Sequence, residues 1–188
     1  MGVSFLRHSG WVNPDVIDKP LSIIGVGATG SNIALLAAKM GFTKFKIWDL
    51  DIVESHNLPN QVYDNHQIGK PKVTALTEVL QRFNPEIQVQ AYKDWFTSDK
   101  YKKDLEGILL VTVDTMSARK DILQSMKMNW RVNAIFETRL GFSHGEVNIM
   151  NPMDIEAIDQ WAATLKDDSE IEAGPCNMQM CGTLVYSV

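Results

Sequence analysis

"LSIIGVGATGSNIALLAAKMG", residues 21–41, decides the fold. It opens on an apolar, β-rich run, LSIIGVG (21–27), and closes on SNIALLAAKMG (31–41), a helical segment ending at Gly41. Between them Gly25, Gly27 and Gly30 fall as G-x-G-x-x-G. In that context the first glycine permits a tight turn, the second lets a phosphate approach the backbone, and the third lets helix and strand pack closely. The helix N-terminus presents amide donors to an anion. Gly25, Gly27, Ala28, Thr29 and Gly30 are therefore candidate nucleotide contacts, with NAD, FAD, S-adenosylmethionine and ATP all open.

Downstream, strand-like and helical segments alternate. FKIWD (45–49) reads as a strand, KPKVTALTEVLQRFNP (70–85) as a helix with Val73, Leu76, Val79, Leu80 and Phe83 on one face, and IQVQAY (87–92) as a half-exposed strand. GILLVTVD (107–114) is apolar like a strand covered on both faces, followed by a helix over 117–128, strands over 131–138 and 145–151, and a helix around 155–165. This order predicts an α/β fold: a Rossmann-like, doubly wound and mostly parallel sheet, with antiparallel strands allowed in the C-terminal half. No internal repeat or linker divides the chain, so residues 1–188 read as one domain, and the apolar ending CGTLVYSV reads as the opening of a further element or an interface segment.

Composition narrows the function classes. Forty-five per cent hydrophobic and 22% charged residues are ordinary globular usage, and a formal net charge of −5 disfavours a nucleic-acid phosphate backbone as the main partner. The sequence shows neither an apolar run long enough to span a membrane nor a signal peptide, so a soluble cytoplasmic protein is expected. Cys176 and Cys181 are too few for a zinc site of four ligands and are read as reduced thiols, and His8, His56, His66 and His144 show no ligand spacing.

The chemistry concentrates after the second strand, in DLDIVESHNLPNQ (49–61). Asp49 ends an apolar strand where an acid commonly accepts hydrogen bonds from ribose hydroxyls. Asp51 follows at once, and Asn57, Asn60 and Gln61 supply amides that donate and accept. GVGATGS, WDLDIVESHNLPNQ, IGKPKV and the strand-end VTVD followed by Arg119 together resemble, in order from about residue 20 to about residue 150, the adenylating domain of the ThiF/MoeB and ubiquitin-activating enzymes.

That resemblance implies ATP and Mg²⁺ as cofactors, and transfer of AMP to the C-terminal carboxylate of a small β-grasp protein or peptide ending in Gly-Gly, by a homodimer. It implies that Asp49 holds the ribose, Asn57, Asn60 and Gln61 line the nucleotide, Lys72 neutralises the α- and β-phosphates, and Asp114 binds Mg²⁺. Asp51 is either a second metal-side carboxylate or a loop-stabilising group, and Lys70 is the alternative to Lys72. Many members carry an arginine where this chain has Asn60; Arg7 is the candidate for an N-terminal arginine directed to a partner subunit's site. The family's paired C-x-x-C motifs are missing, so structural zinc is not expected, while Cys176 and Cys181 are either buried small residues or thioester acceptors. Arg119 and Arg139 fall near the sheet's C-terminal edge, with salt-bridging as the competing role. An NAD-dependent oxidoreductase and a non-catalytic nucleotide- or partner-binding relative are the alternative functions.

Overall fold

The structure, a computed structural model, describes residues 3–6, 10, 12–140 and 145–166. A short α1 (Pro14–Ile17) leads into the first strand, β1 (Leu21–Ile24), followed by α2 (Ala28–Met40), β2 (Lys44–Trp48), α3 (Lys72–Phe83) and β3 (Gln88–Tyr92). The second half runs α4 (Ser98–Tyr101), β4 (Gly107–Val111), α5 (Met116–Met126), β5 (Val132–Leu140), β6 (Gly145–Met150) and α6 (Ile155–Ala163).

The strands form one six-stranded sheet in the order β3-β2-β1-β4-β5-β6. All pairs are parallel except β5 with β6, which run antiparallel with Ile135 opposite Met150 and Leu140 opposite Gly145. The doubly wound sheet and its antiparallel C-terminal strand are thus as the sequence predicts. No helix of the described residues is long and apolar enough to cross a membrane.

Burial follows the strand period of two. Leu21 and Ile23 of β1 join Phe45, Ile47, Ala34, Leu76 and Leu80 in a core beneath α2 and α3. Ile24 faces the other side, with Trp48, Leu109, Val111, Ile122, Ile135 and Trp161, under α5 and α6. Two layers of helix therefore sandwich the sheet, which is why all four β1 residues are buried.

The elements differ from their sequence readings mainly at their ends. β1 stops at Ile24 because Gly25 turns the chain with φ +89°. α2 begins at Ala28, inside the glycine motif, and closes at Gly41, whose φ of +114° lets its N–H reach the Ala37 and Ala38 carbonyls. In the sheet, chain order reverses direction between β1 and β4, and the helices that follow them, α2 and α5, lie on opposite faces, which leaves a crevice at the carboxyl ends of the strands.

Candidate active site

That crevice is a cleft of about 470 Å³. Its first wall is the glycine turn. A Cβ on Gly25 would lie 2.9 Å from the Thr112 carbonyl oxygen, and one on Gly30 would lie 2.0 Å from the Gly25 carbonyl oxygen, so strand, turn and helix pack backbone to backbone. At Gly27 a Cβ would meet nothing within 4 Å, which leaves the approach to the backbone open. The α2 N-terminus has no side-chain cap, and its residues Ala28 and Thr29 line the cleft with amides suited to an anion. Tyr63 donates to the Val26 carbonyl at 2.6 Å and clamps the turn from behind; burial, then Asp49 and Asp51, push its hydroxyl pKa well up.

Asp49 stands beside the turn at the end of β2. Its Oδ2 accepts from the Val26 N–H at 2.8 Å and its Oδ1 from the Asp51 N–H at 2.9 Å, which fixes the carboxylate and leaves further lone pairs for a ligand. Burial raises its pKa, against the opposing pull of Lys72 and of the two backbone donors.

The loop between β2 and α3 folds back on itself. Ile52 bridges Pro71, the Val53 N–H donates to the Lys70 carbonyl at 2.8 Å, and the Gly69 N–H returns to the Val53 carbonyl at 2.8 Å. This clasp sets Lys72 beside Asp51, with Nζ to Oδ2 at 2.8 Å. The Lys72 side chain is only 9% exposed and that of Asp51 60%. Lys70 faces elsewhere, held by Glu78 at 2.7 Å, so Lys72 is the lysine of the cleft.

Amides fill the rest of this wall. Asn57 Oδ1 accepts from the Glu54 N–H at 2.9 Å and so builds its own turn. Asn60 Oδ1 and Gln61 Oε1 are buried acceptors without a hydrogen-bond partner among the described residues. Such groups cost about 1–3 kcal/mol each, and a bound donor would relieve them.

Across the cleft Asp114 follows β4, exposed and so open to a hard cation. Behind it Arg119 is buried, donating to the Val113 and Thr138 carbonyls and pairing with Glu137. Burial lowers the Arg119 pKa, with Glu137 opposing. Glu137 is 0% exposed; Arg139 reaches its Oε1 at 2.9 Å, while Asn148 and Trp161 donate to its Oε2 at 2.8 and 2.9 Å. Arg119 and Arg139 border the cleft, and both take the salt-bridging role.

Sequence reasoning missed Glu137, Thr112 and the aromatic shelf of the cleft. Trp48 stacks on Tyr92 with ring centroids 4.6 Å apart and meets Phe96 edge-on, and Trp95 and Phe96 border the space. Their signal was positional, since 93–98 follows a strand at the same sheet edge as Asp49 and Asp114. Of the predicted residues, Gly25, Gly27, Ala28, Thr29, Asp49, Asp51, Asn57, Asn60, Gln61, Lys72 and Asp114 all line the one cleft, and Gly30 packs behind it. Arg7, Cys176 and Cys181 lie outside the described residues.

A family model for the ThiF family matches residues 18–172. The chain belongs to the ThiF family. Among curated proteins it is 27% identical over 165 residues to the ubiquitin-like modifier-activating enzyme 5 of Bombyx mori, covering 78% of this chain and 41% of that one. The enzyme of the same name from Caenorhabditis elegans is 32% identical over 89 residues, covering 46% of this chain and 21% of that one. The ThiF chain thus spans about two-fifths or less of the length of these relatives. Among solved structures, that of the E. coli tRNA N6-threonylcarbamoyladenosine dehydratase TcdA in complex with ATP superposes with a TM-score of 0.67 at 19% identity, covering 74% of this chain and 60% of that one. At that identity the likeness shows the fold.

Proposed function

We propose that this ThiF-family protein is an ATP-dependent adenylyltransferase that activates the C-terminal carboxylate of a small ubiquitin-like protein or peptide. One observation carries the reading: a glycine turn, a strand-end carboxylate, a largely buried lysine and an exposed carboxylate converge on one cleft at the switch point of the sheet. The ubiquitin-like modifier-activating enzymes among the relatives support the substrate class.

In this reading Asp49 accepts from the ribose, the aromatic shelf at Trp48 and Phe96 packs the base, and the Gly27 to Thr29 amides meet the α-phosphate. Lys72 leaves Asp51 for phosphate oxygens, and Asn60 and Gln61 bond the nucleotide through carboxamides whose oxygens lack partners among the described residues. Asp114 has the hard oxygen donors that Mg²⁺ takes together with substrate phosphates, a set that does not need a cluster of protein ligands. Bound there, the ion would offset phosphate charge.

A substrate carboxylate oxygen then attacks the α-phosphorus, the bond from that phosphorus to the bridging oxygen breaks, and pyrophosphate leaves with the electron pair. The products are acyl-adenylate and pyrophosphate. The carboxylate is its own nucleophile, so the chain contributes positioning and charge. The proposal includes a single adenylating domain acting as a homodimer, which sedimentation would test.

Calorimetric titration with Mg-ATP and, separately, NAD tests the reading. Binding of Mg-ATP that Asp114→Ala weakens, with none of NAD, is expected. Binding of NAD without Mg-ATP would turn the same glycine turn and Asp49 toward an oxidoreductase.

A further inference from the structure

The cleft is short of usable positive charge for a triphosphate. Its border carries four carboxylates, Asp49, Asp51, Asp94 and Asp114, against three fixed cations, Lys72, Arg119 and Arg139. Both arginines are committed to Glu137, which is itself 0% exposed. Lys72 remains among the described residues, and one ammonium together with a bound Mg²⁺ leaves part of the roughly four negative charges of ATP unanswered.

His56 is the remaining basic side chain on this border among the described residues. It sits in the turn Ser55–Asn57, which is braced at both ends by the reciprocal hydrogen bonds of Glu54 and Asn57. Beside the main cleft lies a second cavity of about 210 Å³, bordered by Asp51, Ile52, Glu54, His56, Asn57 and Lys72. His56, Asn57, Asp51 and Lys72 border both spaces, so a chain of phosphates passing Lys72 enters the second one. The charged groups facing the imidazole are Glu54, with Oε2 3.4 Å from Nε2, and Asp51 and Lys72, which pair with each other. The imidazole is 62% exposed and can turn from Glu54 to a ligand without loss of packing.

We propose that His56 is the group that meets the terminal phosphates of the nucleotide, in the small cavity it shares with Lys72. This inference rests on the adenylyltransferase reading. AMP lacks those phosphates and does not reach His56.

The test is the Kd of Mg-ATP and of AMP for the protein, His56→Gln and His56→Lys. An ATP advantage of the wild type over His56→Gln of about tenfold is expected, with AMP binding equal in the two. His56→Lys should keep the advantage and thereby show that the turn still folds. Equal ATP binding by wild type and His56→Gln, or equal losses for ATP and AMP, overturns the inference while leaving the adenylyltransferase reading intact. Absence of ATP binding by the wild type overturns that reading, and the inference with it.

Discussion

Replacing Lys72 by Met removes an ammonium and keeps most of the apolar stem, and the structure sets what should follow. The Lys72 side chain is 9% exposed, and its Asp51 partner, at 2.8 Å, is 60% exposed. A pair with one hydrated partner contributes about 0–1 kcal/mol, and Asp51 left alone remains in water, so Lys72→Met should shift the melting temperature little. Binding is different. In the nucleotide complex the ammonium exchanges Asp51 for phosphate oxygens, a charge-assisted contact of about 1.5–3 kcal/mol. Subtracting the lost ion pair leaves about 0.5–3 kcal/mol, or roughly 2- to 150-fold in Kd. Calorimetry with Mg-ATP on wild type and Lys72→Met, alongside melting curves, measures both. Asp51→Asn separates its two roles: a carboxylate that only holds Lys72 makes the variant bind ATP up to about fivefold tighter, whereas a metal-side carboxylate makes it bind more weakly. A Kd for Lys72→Met within twofold of wild type, with the fold intact, would refute the placement of Lys72 on the phosphates.

Asp114→Asn should abolish the Mg²⁺ dependence of ATP binding and leave stability unchanged, because the side chain is exposed; nucleotide titration with and without Mg²⁺ reads this out. Gly30→Ala, whose Cβ would lie 2.0 Å from the Gly25 carbonyl oxygen, should cost about 1–3 kcal/mol or more in urea unfolding, whereas Gly27→Ala has open space and should lose ATP affinity at unchanged stability. Burial raises the Asp49 carboxyl above its ordinary value of 3.8, so the folded protein binds that proton more tightly than the unfolded chain. Its contribution to stability is full below that ordinary value and lost as pH rises through the raised one; wild-type stability minus that of Asp49→Asn should fall over that window in urea titrations. Glu137→Ala should cost about 3–5 kcal/mol in the same assay, because it strands the buried Arg119, takes one partner from Arg139 and removes the acceptor of Asn148 and Trp161.

What was legible in the sequence is what local pattern determines. The glycine turn, the apolar strands and the Asp49 strand end carry their signals within a few residues, and a doubly wound fold then dictates that strand ends meet. The four-residue helices α1 and α4 escaped because one turn is too short to show a helical period. The start of α2 was misplaced by three residues because the second half of the glycine motif is already helical. The choice between Lys70 and Lys72 could not be made from spacing alone; it is decided by Glu78, which lies on α3 and takes Lys70. Glu137 looked like one polar residue in a strand, since its partners come from α5, β5, β6 and α6. A network closed by four elements has no signature in any one of them.

On the adenylyltransferase reading proposed above, the unequal burial of Lys72 and Asp51 explains how a cleft that takes an anion is stable without one. A largely buried ammonium with no partner would be costly, and pairing it with an equally buried carboxylate would make the charge costly to release. Asp51 lies in water on its other side, so it holds Lys72 in the free protein and is rehydrated cheaply when phosphate takes its place. The clasp of Ile52 on Pro71 and Val53 on Lys70 keeps donor and acceptor in register through that exchange, because it fixes the backbone of both residues independently of their side chains. Glu137 does the opposite for Arg119: with both partners buried, that ion pair has no cheap exchange, and its role is to hold the ends of β4 and β5, where Asp114 stands. One sheet edge thus carries two kinds of ion pair, one with a hydrated partner and open to exchange, and one buried on both sides.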